Sequence, residues 1–154
     1  MALSDLLSAD AVLGTLNASN RKQALQMMCE AAGAKLGIDS RGILDAVMER
    51  ERLGSTGVGD GVAIPHARLD GLSGVLGLFA RLKTPIDFDA MDGRPVDLVF
   101  LLLAPETAST EHLKALARVS RVFRRDDIRT RLRMTDSRDG MAALLTLQED
   151  SDAA

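Results

Sequence analysis

The sequence predicts a single α/β domain, with a mixed central β-sheet flanked by helices on both faces. Helical spacing of apolar residues occurs before, between and after short apolar runs, which indicates layered α/β order. Residues 96–103 are apolar with almost no alternation, as expected of a central strand covered on both faces. One domain over residues 1–154 is expected, with a core from about 8 to 147 and an acidic, frayed tail.

The N-terminal part is expected to contain a short amphipathic piece around residues 6–16, followed by a long helix. Apolar residues recur at spacings of three and four over 20–36. Asn17 or Ser19 can cap this helix, because short polar side chains accept from free N–H groups of a first turn. Gly37 then ends it.

A second helix is expected from a Ser40 cap to about Gly54. Four glycines within residues 54–61 predict a loop, since so many glycines destabilise a helix or strand interior. Further strands are predicted at 62–64, 75–82 and 85–88, the last turning at Asp92-Gly93.

Three helices are predicted after the central strand. Ser109 or Thr110 caps a long helix that ends near residue 124. Shorter helices are expected at about 128–134 and 138–146, since both stretches show helical spacing.

Composition narrows the classes of function. Four Phe, no Tyr and no Trp argue against an aromatic platform for single-stranded nucleic acid, and a net charge of −3 supplies no general basic field. The single Cys29 excludes an internal disulfide and a multi-cysteine metal site, and its expected role is that of a buried helix thiol. Neither a secretory signal nor an apolar run of about 20 residues is visible. A cytoplasmic protein without membrane insertion is therefore expected.

A cluster of arginines is a local exception to the acidic balance: Arg118, Arg121, Arg124, Arg125, Arg129, Arg131 and Arg133. The pattern favours a solvated helix face over contact with nucleic acid. A docking surface for an acidic partner protein stays open as a third interpretation.

His66 follows a glycine-rich stretch, Gly57-Val58-Gly59-Asp60-Gly61-Val62-Ala63-Ile64-Pro65. Glycine turns expose backbone N–H groups that can form an anion site, although a flexible connector has the same pattern. The Lys-Ser/Thr of a P-loop is missing. We expect a short strand to place the imidazole at its end, fixed by Pro65. An imidazole titrates near neutrality and can act as nucleophile, acid, base or ligand.

His112 lies in the first turn of the predicted long helix, on the stripe that carries Leu116, Val119 and Phe123. A core or capping histidine is the commoner fate of such a residue. The helix follows the central strand after a short turn, so its first residues can lie beside the end of a neighbouring strand. The spacing therefore allows His112 to pair with His66.

Arg50 belongs to the run Glu49-Arg50-Glu51-Arg52 that closes the second helix. It stands at i+7 from Ile43 and borders the apolar face, while Arg52 points outward. A guanidinium beside a glycine loop can bind a phosphate through parallel N–H donors. The pattern alone favours an exposed lattice of charges.

The segment from Glu49 to Arg68 closely resembles the signature of the enzyme IIA domains of the mannitol/fructose class of the phosphotransferase system. Within this class it is most similar to the nitrogen-regulatory branch. Glu111-His112-Leu113 and the order of helices and strands extend the resemblance. One departure is Ala67, where many relatives have glycine.

The resemblance implies roles for particular residues. His66 corresponds to the phosphoryl-accepting histidine, and His112 to a second histidine that positions or stabilises the phosphoryl group without carrying it. Arg50 corresponds to the arginine near the phosphate. Small hydroxyl residues and loop groups complete the expected phosphate site: Ser55, Thr56 and Gly57. The resemblance implies neither a cofactor nor a metal.

The function implied is that of a phosphoryl carrier in the nitrogen-related phosphotransferase system. A small histidine phosphocarrier protein of the HPr or NPr kind would donate the phosphoryl group. Regulatory targets, among them sensor-kinase or potassium-transport components, would respond to the phosphorylation state. The alternative is a regulatory domain that binds partners without phosphotransfer. A nucleotide- or metal-dependent hydrolase is disfavoured by the missing phosphate-binding lysine.

Overall fold

The fold is built on a mixed six-stranded β-sheet. The computed structural model describes residues 2–107 and 109–146. The helices are Leu3–Leu6 (α1), Arg21–Leu36 (α2), Ser40–Arg52 (α3), Ser109–Phe123 (α4), Asp126–Met134 (α5) and Arg138–Thr146 (α6), with a 3₁₀ turn at Ala9–Ala11. The strands are Val12–Leu16 (β1), Gly57–Gly59 (β2), Val62–Ala63 (β3), His66–Leu69 (β4), Leu76–Ile86 (β5) and Val96–Pro105 (β6).

The strands lie in the order β1-β5-β6-β3-β2, and β4 pairs with β6 beyond the end of β3. The β5–β6 and β2–β3 pairs are antiparallel, whereas β1 is parallel to β5, and β3 and β4 are parallel to β6. Every residue of β6 from Leu98 onward is buried, so this central strand is covered on both faces. The predicted α/β class and the predicted central strand are confirmed.

The helices agree with the predicted ones, but the capping residues differ. The cap of α2 is Asn20, whose side chain accepts a first-turn N–H at 2.8 Å, and not Asn17 or Ser19. The cap of α3 is Asp39 and not Ser40. A cap must directly precede the first helical residue so that its short side chain reaches the N–H groups of the first turn.

In the C-terminal part, the predicted helices match α4, α5 and α6 closely. Thr110 lies inside α4 and therefore does not cap it, and the side chain of Ser109 lies outside the described residues. The predicted frayed tail, from residue 147 on, also lies outside them. None of the helices in the described ranges is both long and apolar enough to cross a membrane.

Two predictions of local structure, the amphipathic piece around 6–16 and the strand at 85–88, were wrong because long-range pairing decides both. The segment around 6–16 is divided between the end of α1, the 3₁₀ turn and β1. Strand β1, Val12–Leu16, pairs with β5 far along the chain. Residues 85–88 are not a separate strand, since β5 continues through Pro85 to Ile86.

The glycine stretch predicted as a loop contains a tight β-hairpin. Gly57–Gly59 pairs with Val62–Ala63, and Asp60 and Gly61 both have positive φ, at 58° and 78°. Asp-Gly with two positive φ values is typical of a type I′ turn, which matches the twist of the flanking strands. The hairpin carries the chain directly to His66 at the start of β4.

Candidate functional site

The topology brings the two histidines together. β4 pairs with the C-terminal half of β6, with His66 opposite Leu102, and α4 begins shortly after β6 ends. His112, in the first turn of α4, therefore lies beside β4. The two imidazole centroids are 5.5 Å apart, with the ring planes at 70°. The expected pairing of His66 and His112 in space is confirmed.

The backbone around Pro65 fixes the ring of His66. β3 ends at Ala63, and His66 is the first residue of β4, so the expectation that it ends a strand was wrong. Its Nδ1 lies 2.8 Å from the carbonyl oxygen of Ile64. A carbonyl can only accept, so Nδ1 carries the proton and the neutral ring has its lone pair on Nε2.

Arg50 contacts this lone pair. Its Nε lies 3.3 Å from Nε2 of His66, and a guanidinium can only donate. A second donor of the same guanidinium, Nη1, bonds the carbonyl of Gly54 at 2.9 Å. Arg50, half-buried at the end of α3, therefore joins the helix, the glycine loop and the imidazole.

Arg68 is a site residue that the sequence reasoning did not identify. Its Nε donates to Nδ1 of His112 at 3.2 Å. Arg68 follows His66 by two positions on β4, and in a strand such residues face the same side. That spacing is the signal that could have identified it. His112 is buried, and its Nε2 has no hydrogen-bond partner among the described residues.

Both imidazoles have lowered pKa values, which favours their neutral form. Burial is the main cause that lowers the pKa of His66, and the Ile64 carbonyl opposes it while the Arg50 and Arg68 charges add to it. Burial also lowers the pKa of His112, followed by the neighbouring His66 and Arg68. A neutral His66 keeps the lone pair that a nucleophile needs.

These side chains border a cleft of about 470 Å³, lined by Ala46, Glu49, Arg50, Leu53, His66, Ala67, Arg68 and His112. Ser55, Thr56 and Gly57 are not among the lining residues. The Ser55 hydroxyl donates to the carbonyl of Phe88 and accepts the N–H of Gly57 at 3.0 Å. A Cβ at Gly57 would lie 2.8 Å from that of Ala90, which explains the glycine by close packing. The part of these three residues in phosphate binding stays a prediction.

Thr56 and Glu51 form a buried pair behind the cleft. The Thr56 hydroxyl donates to the Glu51 carboxylate, whose side chain is 2% exposed, and Arg21 lies 3.4 Å from the same carboxylate. The carbonyl of Thr56 accepts the N–H of Ile64 at 2.9 Å. The Ile64 carbonyl in turn accepts from His66. The Thr56–Glu51 pair therefore supports the backbone that orients the imidazole.

Outside the cleft, neither the Cys29 thiol nor a metal-binding cluster provides a second reactive site among the described residues. Burial raises the pKa of the Cys29 thiol to about 12, so it stays protonated. Within residues 2–107 and 109–146, no three His, Cys, Asp or Glu side chains are placed to hold a metal ion together.

Comparison with known proteins identifies the family. The profile of the phosphoenolpyruvate-dependent sugar phosphotransferase system EIIA 2 family matches residues 5–147. The chain belongs to this family. A nitrogen regulatory protein of Bradyrhizobium diazoefficiens is 48% identical over 147 residues, which cover 96% of each chain. One from Klebsiella oxytoca is 38% identical over 148 residues, covering 95% of this chain and 91% of its own.

Solved structures agree with this EIIA assignment. Nitrogen regulatory protein IIA-Ntr from Neisseria meningitidis superposes with a TM-score of 0.88 at 33% identity, over 94% of this chain and 99% of that one. IIA mannitol from Escherichia coli, at 22% identity, shares the fold with a TM-score of 0.73 over 89% and 96% of the two chains. The resemblance inferred from residues 49–68 is confirmed, and this EIIA protein has a regulatory role related to the phosphotransferase system.

Proposed function

We propose that this EIIA protein is a phosphoryl carrier that accepts a phosphoryl group on Nε2 of His66. One observation carries the proposal: the 2.8 Å contact between Nδ1 of His66 and the Ile64 carbonyl. It holds the proton on Nδ1 and leaves Nε2 as the nucleophilic nitrogen. The lowered pKa of His66, caused mainly by burial, keeps that nitrogen unprotonated at neutral pH.

The transfer step exchanges one N–P bond for another. The Nε2 lone pair forms a bond to phosphorus while the N–P bond of a donor phosphohistidine breaks, and the bonding electron pair returns to the donor imidazole. The ring of His66 gains positive character as the bond forms. The Ile64 carbonyl stabilises that charge, because its bond to Nδ1–H favours a more positive ring.

The surrounding donors suit the charge of the transferred group. Phosphoryl transfer depends on positioning and charge stabilisation far more than on covalent work by the protein. Arg50 donates to Nε2 of His66 in the free protein, and once that nitrogen is phosphorylated the same N–H can bond a phosphoryl oxygen. His112 lines the same cleft, and its Nε2, which has no hydrogen-bond partner among the described residues, can supply a further donor.

Apolar side chains beside the cleft fit a protein donor and protein targets. Leu53, which lines the cleft, is 80% exposed, and Leu113, next to His112, is 63% exposed. An apolar surface at the mouth of a reactive cleft is one that a partner protein can cover. We propose that an HPr- or NPr-like phosphocarrier docks here in the cytoplasm. Regulatory targets such as sensor-kinase or potassium-transport components would then detect the added charge of about −1.5 to −2.

Labelling by phosphorylated carrier tests the proposal. Intact-mass spectrometry should show one added phosphoryl group that is lost in acid and retained in base. His66→Ala should abolish the label, whereas His112→Ala should still accept it at a reduced rate. Labelling of His66→Ala to the wild-type extent would contradict the assignment. Equal affinity of a target for both forms would instead favour the phosphorylation-independent alternative.

A further inference from the structure

The tautomer of His112 is set by an arginine. Nε of Arg68 lies 3.2 Å from Nδ1 of His112, and a guanidinium N–H can only donate. Nδ1 must therefore hold a lone pair, and in the neutral ring the proton lies on Nε2. His66 has the opposite tautomer, because its Nδ1 donates to a carbonyl. At Nε2, His66 therefore presents an acceptor, whereas His112 presents a donor.

The donor of His112 is unused in the free protein. The residue is 5% exposed, and Nε2 makes no hydrogen bond within the described residues. A buried polar group without a partner is uncommon and calls for an explanation such as a catalytic role. His112 lines the cleft together with His66, and the ring centroids are 5.5 Å apart. An oxygen of a group bonded to His66 is a natural acceptor at that distance.

Among the described residues, His112 is the hydrogen-bond partner that explains the position of Arg68. Arg52 pairs with Glu49, and Arg94 with Asp60, whereas Arg68 forms no ion pair with a carboxylate in the part of the chain that the structure describes. Its side chain lies at the surface and reaches inward over His112. Arg68 can reach His112 because of the strand spacing. Arg68 and His66 lie on the same side of β4, toward the helix that carries His112.

We propose that Arg68 is a positioning residue, which holds His112 in the Nε2–H tautomer so that its N–H can donate to the phosphoryl group on His66. This inference rests on the proposed phosphoryl transfer, and it assigns Arg68 an action through His112. Its charge also helps to keep His112 neutral, after burial and the neighbouring His66. A protonated His112 would turn an N–H toward the guanidinium and lose the hydrogen bond.

The tautomer is measured directly by ¹⁵N NMR of the histidine ring nitrogens in the unphosphorylated protein. We expect a protonated Nε2 for His112 in wild type and a mixture of tautomers in Arg68→Met, whose unbranched side chain reaches the position of the arginine Nε but has no donor. Arg68→Lys, which retains an N–H donor, should restore the Nε2–H form. Arg52→Met removes an equal charge outside the cleft and should leave the tautomer unchanged. An unaltered tautomer in Arg68→Met would overturn the inference.

Transfer kinetics separate an indirect action from direct contact with phosphate. Arg68→Met should slow the maximal rate of phosphoryl uptake by about tenfold, with less change in the KM for phosphorylated carrier. In a His112→Ala background the same substitution should have almost no further effect, because its partner is gone. A further tenfold loss there would overturn the positioning role. If wild type takes up no phosphoryl group, the proposed function fails, while the NMR result still decides the tautomer.

Discussion

Replacing Thr56 with valine tests how the segment behind His66 is held in place. The Thr56 hydroxyl donates to the Glu51 carboxylate, whose side chain is 2% exposed. Valine has nearly the same shape but no donor, so the change leaves the carboxylate with the more distant Arg21 at 3.4 Å. The backbone carbonyl of residue 56 still accepts from Ile64 at 2.9 Å, and so the hairpin should form.

The expected cost follows from the burial of the acceptor. A hydrogen bond to a charged group contributes about 1.5–3 kcal/mol, and this contribution is retained in full only where solvent does not screen the charge. Solvent screening is small at Glu51, because its carboxylate is buried. We therefore expect Thr56→Val to lower the free energy of unfolding by about 2 kcal/mol, and the melting temperature by about 2–4 °C for each kcal/mol.

Urea unfolding followed by circular dichroism measures the loss. Thr135→Val is a matched control, since the Thr135 hydroxyl donates to the backbone carbonyl of Arg131 at an exposed site. Its cost should be about 0.5 kcal/mol or less. In a double-mutant cycle with Glu51→Gln, the two changes should be non-additive. A Thr56→Val protein as stable as the control would refute the reasoning.

Three further predictions concern other parts of the molecule. Nη1 of Arg81 bonds the carbonyls of Leu132, Arg133 and Thr135 at the end of α5. Arg81→Met should therefore lower the free energy of unfolding in urea by about 1–3 kcal/mol. No measurable loss would contradict this capping role. Stability should fall as pH drops below 6.5, the ordinary pKa of histidine, because both imidazoles have lowered pKa values and the unfolded chain binds the protons first. Unfolding curves of wild type and of a His66→Gln/His112→Gln protein should diverge there, and parallel curves would refute the assignment. Leu113→Ser should raise the KM for phosphorylated carrier several-fold with little change in maximal rate. Stability should change little, since Leu113 is 63% exposed. An unchanged KM would place the docking surface elsewhere.

The sequence predicted the fold best where local spacing and packing agree. Helix α2 ends as expected at Gly37, whose φ of 70° suits glycine. The central strand was visible because every side chain of β6 from Leu98 on is buried. By contrast, β1 contains Gly14 and gains its stability by pairing with β5, a contact that no local pattern reveals.

The site was predicted in part for the same reason. His66, His112 and Arg50 were expected from the family signature, and the structure places their side chains together. Arg68 was missed because an arginine near a strand end is ordinarily a solvated charge, and its role depends on a helix far along the chain. The hydroxyls of Ser55 and Thr56 bond Phe88 and Glu51, which spacing alone could not indicate.

The identity of the phosphorylated nitrogen tests the central claim most directly. Protein labelled with ¹⁵N in its two histidines would be phosphorylated by the carrier and observed by ¹⁵N and ³¹P NMR. The account predicts phosphorus bonded to Nε2 of His66, with Nδ1 still protonated toward the Ile64 carbonyl. Phosphorus on Nδ1 of His66, or on either nitrogen of His112, would contradict it.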